Sequence, residues 1–142
     1  MFNVKFHFPE KEEFELFFSR YRAEIQKGLY DGSVLLNKDI IAKSKEPKTG
    51  RIYPRKLKSG RIVQHQAASK NNNESTAQMT GAQNKARGFY VAGLTSYVGV
   101  DKKIKYARKN EIEFRDMQQG LERNGGEIFS TIQVRLFNFF KK

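Results

Sequence analysis

The sequence predicts an α+β fold, a small antiparallel sheet packed by a long N-terminal helix and a C-terminal helix, with a basic β-hairpin and a polar loop projecting from it. Three observations carry this. Apolar residues recur at helical spacing from Phe14 to Leu29, a second helical stripe runs from Ile128 to Phe140, and short β-prone runs punctuated by glycine lie between them. At 142 residues the chain reads as a single domain, 1–142, with 12 Phe, 6 Tyr and no Trp supplying much of its core.

The elements follow in order. Phe2, Val4, Phe6 and Phe8 alternate with Asn3, Lys5 and His7, the period of a half-buried strand, which Pro9 ends. Pro suits the first position of a helix, and Glu10, Glu12 and Glu13 complement the positive end of its dipole. Phe14, Phe17, Phe18, Tyr21, Ile25 and Leu29 then form one apolar stripe. Asp31-Gly32 is expected to interrupt it. The apolar positions from Val34 to Ile41 suggest that the helix resumes there, or that a second begins, before ending near Lys45. Arg51–Tyr53 and Arg61–Val63, joined through Lys58-Ser59-Gly60, read as a hairpin. Residues 68–85 are polar and nearly free of aliphatic side chains, too little apolar area to offset the entropy of ordering, so mobility is expected there. Residues 88–93 and 95–100 look like paired strands split by Gly93-Leu94. Lys103–Glu111 could form a short helix, with Ile104 and Ala107 inward and Lys102, Lys103, Lys105, Arg108 and Lys109 outward. Asn124 or Gly125-Gly126 is expected to open the last helix, with Glu127 in its first turn and Ile128, Ile132, Leu136 and Phe139/Phe140 as its buried stripe. Phe129 and Phe137 widen that surface beyond one face, which fits either deep packing or a subunit interface.

Charge is placed rather than diluted. Residues 46–70 hold seven Lys/Arg against one acid, half of the chain's net +12, whereas 1–45 hold eight against seven. A field of one sign on a projecting element draws an anionic partner. Lys48, Arg51, Arg55, Lys56, Lys58 and Arg61 are the candidate contacts, mixed with Tyr53 and His65. The same lysines could instead protect strand edges from aggregation. No base-reading element accompanies them, so any nucleic-acid contact should be independent of sequence.

Recognisable chemistry is scarce. With no Cys there is no thiolate nucleophile, disulfide or Cys-ligated zinc, and no phosphate-cradling loop, dinucleotide fingerprint or nucleophile elbow occurs. His7 and His65 lack a second ligand at useful spacing, so no metal or cofactor is expected. Glu111 and Glu113, two apart on a helix, do not share a face as an acid/base pair would. Turns account for Gly88, Gly93 and Gly99 without a ligand. No apolar run reaches the roughly 20 residues of a membrane span, and the N-terminus lacks a signal peptide's pattern.

Lys48-Thr49-Gly50-Arg51-Ile52-Tyr53, Ala68-Ser69, Thr80-Gly81-Ala82, Val98-Gly99-Val100 and Tyr106-Ala107 followed by Glu111 occur in an order that covers nearly the whole chain. This order resembles the neck or tail-completion proteins of tailed bacteriophages, the head-tail joining or minor tail components. The chain departs from that pattern at Asn71–Ser75, Ile112-Glu113 and Arg115–Met117. The resemblance implies a non-enzymatic virion protein, assembled in the host cytoplasm. It would form a homo-oligomeric ring between the capsid's portal side and the tail, around a double-stranded DNA channel and in contact with other neck and tail proteins. Phe129 and Phe137 would then lie at subunit boundaries. The alternatives are a sequence-independent nucleic-acid-binding protein acting outside a virion and, third, a small enzyme with an unrecognised site.

Overall fold

In the computed structural model, which describes residues 10–72, 74–77 and 82–141, the chain is organised on one helix, α1, spanning Lys11–Lys45. Its 35 residues reach about 50 Å at 1.5 Å per residue. Glu12 and Glu13 lie in its first turn and Lys43 and Lys45 in its last, each complementing the dipole. The expected strand Phe2–Phe8, with His7, Pro9 and Thr80-Gly81, lies outside the described residues.

The break expected at Asp31-Gly32 does not occur. Gly28 and Gly32 sit on the buried face of α1, where the missing side chains admit a second helix, α4, Asp116–Phe140. A Cβ at Gly28 would stand 2.8 Å from Ile132 Cγ1, and one at Gly32 2.6 Å from Ile128 Cγ2. Gly120 repeats the device from the other side, its hypothetical Cβ 2.7 Å from Leu36 Cδ1 and 3.0 Å from Ile40 Cγ1. The three notches fix α4 antiparallel to α1. Each internal glycine costs about 1 kcal/mol of helix propensity, which close packing offsets. Leu36 and Ile40 are the buried apolar residues of this seam.

Ion pairs flank the seam. Arg123 Nη2 lies 2.5 Å from Asp39 Oδ2, while Arg135 pairs with Asp31 and stands 3.8 Å from Glu24. At the far end Phe17 and Tyr21 meet Phe139 and Phe140 with ring centroids 5.4–6.2 Å apart.

The last helix begins eight residues before the expected Asn124, so Glu127 lies in its interior. Its start is set by tertiary contacts. The Glu111 carboxylate accepts the Met117 amide at 3.0 Å, a cap supplied from the preceding helix. Gly125 and Gly126 face open space inside α4 and are carried by the packing on either side.

The opposite face of α1 packs on a two-stranded sheet, β3 (Arg87–Ala92) and β4 (Thr95–Val100), paired antiparallel with Tyr90 opposite Tyr97. Gly93 at φ 57° opens the two-residue turn between them, as a type II′ hairpin requires. Phe89 packs edge-on to Tyr30 of α1, and Ser33 hydrogen-bonds Ser96. The other sheet is the hairpin β1 (Ile52–Lys56) and β2 (Ile62–Gln66). Its three-residue tip closes with Gly60 at φ 82°. Between the sheets lie a 3-10 turn, Lys70–Asn72, and a one-turn helix α2, Ala82–Lys85. The short helix expected at Lys103 starts later, as α3, Ala107–Phe114. Two successive turns, Ile104 N–H to Asp101 O and Ala107 N–H to Ile104 O, occupy the intervening residues.

The glycines separate two effects that the sequence alone confounds. Gly126→Ala, in open space, should stabilise the fold by about 0.5–1 kcal/mol through helix propensity. Gly32→Ala should instead destabilise it by about 1–3 kcal/mol as α4 is pushed away. Urea denaturation of the two variants measures both signs.

Candidate functional site

The hairpin alternates strictly. Tyr53, Arg55, Val63 and His65 are half-buried on one face, Ile52, Pro54, Lys56, Ile62, Gln64 and Gln66 exposed on the other. Tyr53 and His65, opposite each other in the register, make an edge-on ring contact at 5.2 Å. Three of the cations gather at the tip. Lys56, Lys58 and Arg61 surround the tip, Arg51 precedes β1, and all four are exposed with no ion pair among the described residues.

Lys48 is placed differently. Its ammonium donates to the Lys43 carbonyl at 2.8 Å, closing the C-terminal end of α1, and burial pushes its pKa down against the pull of Glu74 and Glu46. It therefore acts on the helix end, while the tip cations remain open to an anion.

The base of the hairpin is tied to the polar segment that follows. The Glu74 carboxylate accepts from the Thr49 hydroxyl and amide and from the Ser69 amide at 2.7 Å. The Thr49 hydroxyl holds the Glu74 pKa below its ordinary value, with the Ser69 and Thr49 amides adding to the effect. Farther on, Ser75 is buried and the Thr76 amide donates to the Asp116 carboxylate at 3.0 Å. Asn84 donates to Ser44 Oγ and Asn110 to Gln83 Oε1. The polar composition that suggested mobility over 68–85 thus supplies hydrogen bonds to this part of the molecule.

These segments enclose a cleft of about 790 Å³ between the hairpin, α2, the start of β3 and α3. Asp116, 1% exposed, lies at its floor beside Arg87. Burial lowers the Arg87 pKa, opposed by Asp116 and Glu111, and burial raises that of Glu111, opposed by its bond to the Met117 amide. Several buried polar atoms here lack partners among the described residues: Arg87 Nε and Nη1, His65 Nε2 and Thr76 Oγ1. Each such atom costs about 1–3 kcal/mol if left unmet. His65, read from sequence as a partner contact on the hairpin, lines this cleft. Arg87, Thr76 and Asp116 were not singled out by the sequence, since they are far apart along the chain and share no motif.

The third region is the outer face of α4, where Phe129 and Phe137 are 60% and 59% exposed. The Lys141 ammonium sits 4.3 Å from the centroid of the Phe137 ring. Ile128, Ile132 and Leu136 are half-buried on the opposite side, toward α1. At the α1 N-terminus, Phe14, Leu16 and Phe18 are also about half exposed.

Among the described residues no group of three or more His, Asp and Glu side chains could hold a metal ion, and no helix is long and apolar enough to cross a membrane. No protein-family model matches the chain, and neither the curated proteins nor the solved structures compared with it give a match.

The Glu74 tie carries a pH dependence of definite sign. Because the folded-state pKa is depressed, its stabilisation is present above the ordinary value of 4.5 and is lost as pH falls below it toward the folded-state value. Hydrogen-exchange protection of the Thr49 and Ser69 amides, corrected for intrinsic rates, should fall over that range. In Glu74→Gln it should be lower at pH 6 and no longer respond to acid.

Proposed function

We propose that the chain is a structural virion protein of a tailed bacteriophage, a copy of the tail-completion ring in the head-tail neck, with its basic hairpin toward DNA and its aromatic helix face toward neighbouring copies. The observation that carries the assembly part is area. A compact 16.5 kDa monomer exposes about 7,500 Å², whereas this chain exposes 11073 Å². The excess, with half-exposed phenylalanines on both long helices, suits a protein that completes its burial against other copies. The phage assignment rests on the motif order Lys48–Tyr53, Ala68-Ser69, Thr80–Ala82, Val98–Val100 and Tyr106–Glu111 in the sequence. Exposed cations at the hairpin tip, with no ion pair among the described residues, are suited to phosphate contacts without base reading. They equally suit the second reading, a sequence-independent nucleic-acid-binding protein acting outside a virion.

Size-resolved light scattering on purified protein separates these readings, since a ring forms without DNA and a lone binder stays monomeric. Phe137→Ala should weaken association while the subunit keeps its melting temperature within a few degrees, as an aromatic anchor would. Equal unfolding of the isolated subunit would place Phe137 in the core.

For the hairpin, Lys56→Glu with Arg61→Glu should leave stability within about 0.5 kcal/mol, both side chains being exposed. If both touch phosphates, the log–log salt slope of duplex binding should fall by about 0.9 per cation. An unchanged slope would turn the hairpin toward an acidic protein surface instead.

A further inference from the structure

The cleft beneath the hairpin has features that neither a DNA channel nor a subunit boundary on α4 uses. Its volume of about 790 Å³ falls within the range of formed ligand sites. Its walls are mostly apolar, contributed by Tyr53, Ala67, Ala68, Ile104, Tyr106 and Phe114. Arg87, His65 and Thr76 also line it, but their unpartnered atoms are themselves buried, closed off from its open space. At its rim stand Lys103, Lys105 and Lys109, all exposed and with no ion pair among the described residues.

The charge layout selects the ligand class. Arg87 is already countered by Asp116 and Glu111, so the interior carries no surplus of positive charge. A phosphate dianion would meet the buried Asp116 carboxylate there, whereas apolar side chains would not. The positive surplus lies at the rim, where it can meet acidic side chains, while the walls receive apolar ones.

We propose that this cleft receives an extended peptide segment from another polypeptide chain, about six residues long, in which acidic side chains alternate with apolar ones. Its apolar side chains rest on the alanine and aromatic walls, and its carboxylates face the rim lysines. Alternation matches the two-sided presentation of an extended strand. The proposal stands whether or not the chain forms a ring, because it concerns a face distinct from Phe129 and Phe137.

The test is fluorescence anisotropy on the full chain with two end-blocked, fluorescein-labelled peptides, one alternating Glu with Leu and Val, the other carrying Lys in place of Glu. Saturable binding is expected for the acidic peptide and binding about tenfold weaker or more for the basic one. Lys103→Glu/Lys105→Glu/Lys109→Glu, at exposed sites, should keep its melting curve and lose about tenfold or more in affinity. Lys56→Glu/Arg61→Glu at the hairpin tip should bind as the parent does. The proposal is overturned by absence of saturable binding at millimolar protein, by equal affinity for the two peptides, by indifference to the rim reversal, or by displacement of the acidic peptide with millimolar pyrophosphate, which would make the cleft a phosphate site.

Discussion

The close approach of α1 and α4 is the constraint on which the other elements depend. Three glycines, Gly28, Gly32 and Gly120, remove side chains where Ile132, Ile128, Leu36 and Ile40 must enter. The result is a narrow seam with little tolerance, because interiors pack at crystal-like density and resist the insertion of even a methyl group. Among the described residues no apolar side chains besides Leu36 and Ile40 are fully buried, so the seam and its flanking Asp31–Arg135 and Asp39–Arg123 pairs hold the two longest elements in register. Once α1 is fixed on one side by α4, its other side presents Tyr30 and Ser33 to β3 and β4.

The remainder of the chain is organised by polar contacts instead. Glu111 caps α4, Asp116 holds the Thr76 amide, and Glu74 gathers Thr49 and Ser69. A buried carboxylate is costly unless hydrogen-bonded; Asp116 meets that condition with a backbone amide, as do the less buried Glu74 and Glu111. The arrangement leaves Arg87 and His65 only partly satisfied.

Charge and area then divide the surface into regions with different uses. The hairpin tip carries exposed cations, the outer face of α4 carries exposed phenylalanines, and the cleft rim carries lysines over apolar walls.

Several elements were legible in the sequence because their signals are local. The stripe from Phe14 to Leu29 marked the helix, Gly93-Leu94 marked the turn between β3 and β4, and the charge run over 46–70 marked the candidate contact surface. The α+β class followed from those periods. What the sequence could not decide was the meaning of its glycines, since Gly32 reads as a break and Gly125-Gly126 as a helix start until a neighbouring helix is present. Nor could it bring His65, Arg87, Thr76 and Asp116 together, because residues so far apart acquire a common environment only when the hairpin, β3 and the start of α4 converge. Periodicity and charge are properties of neighbours along the chain and were determined by sequence. Close packing and cleft chemistry are properties of neighbours in space, and only the tertiary structure decided them.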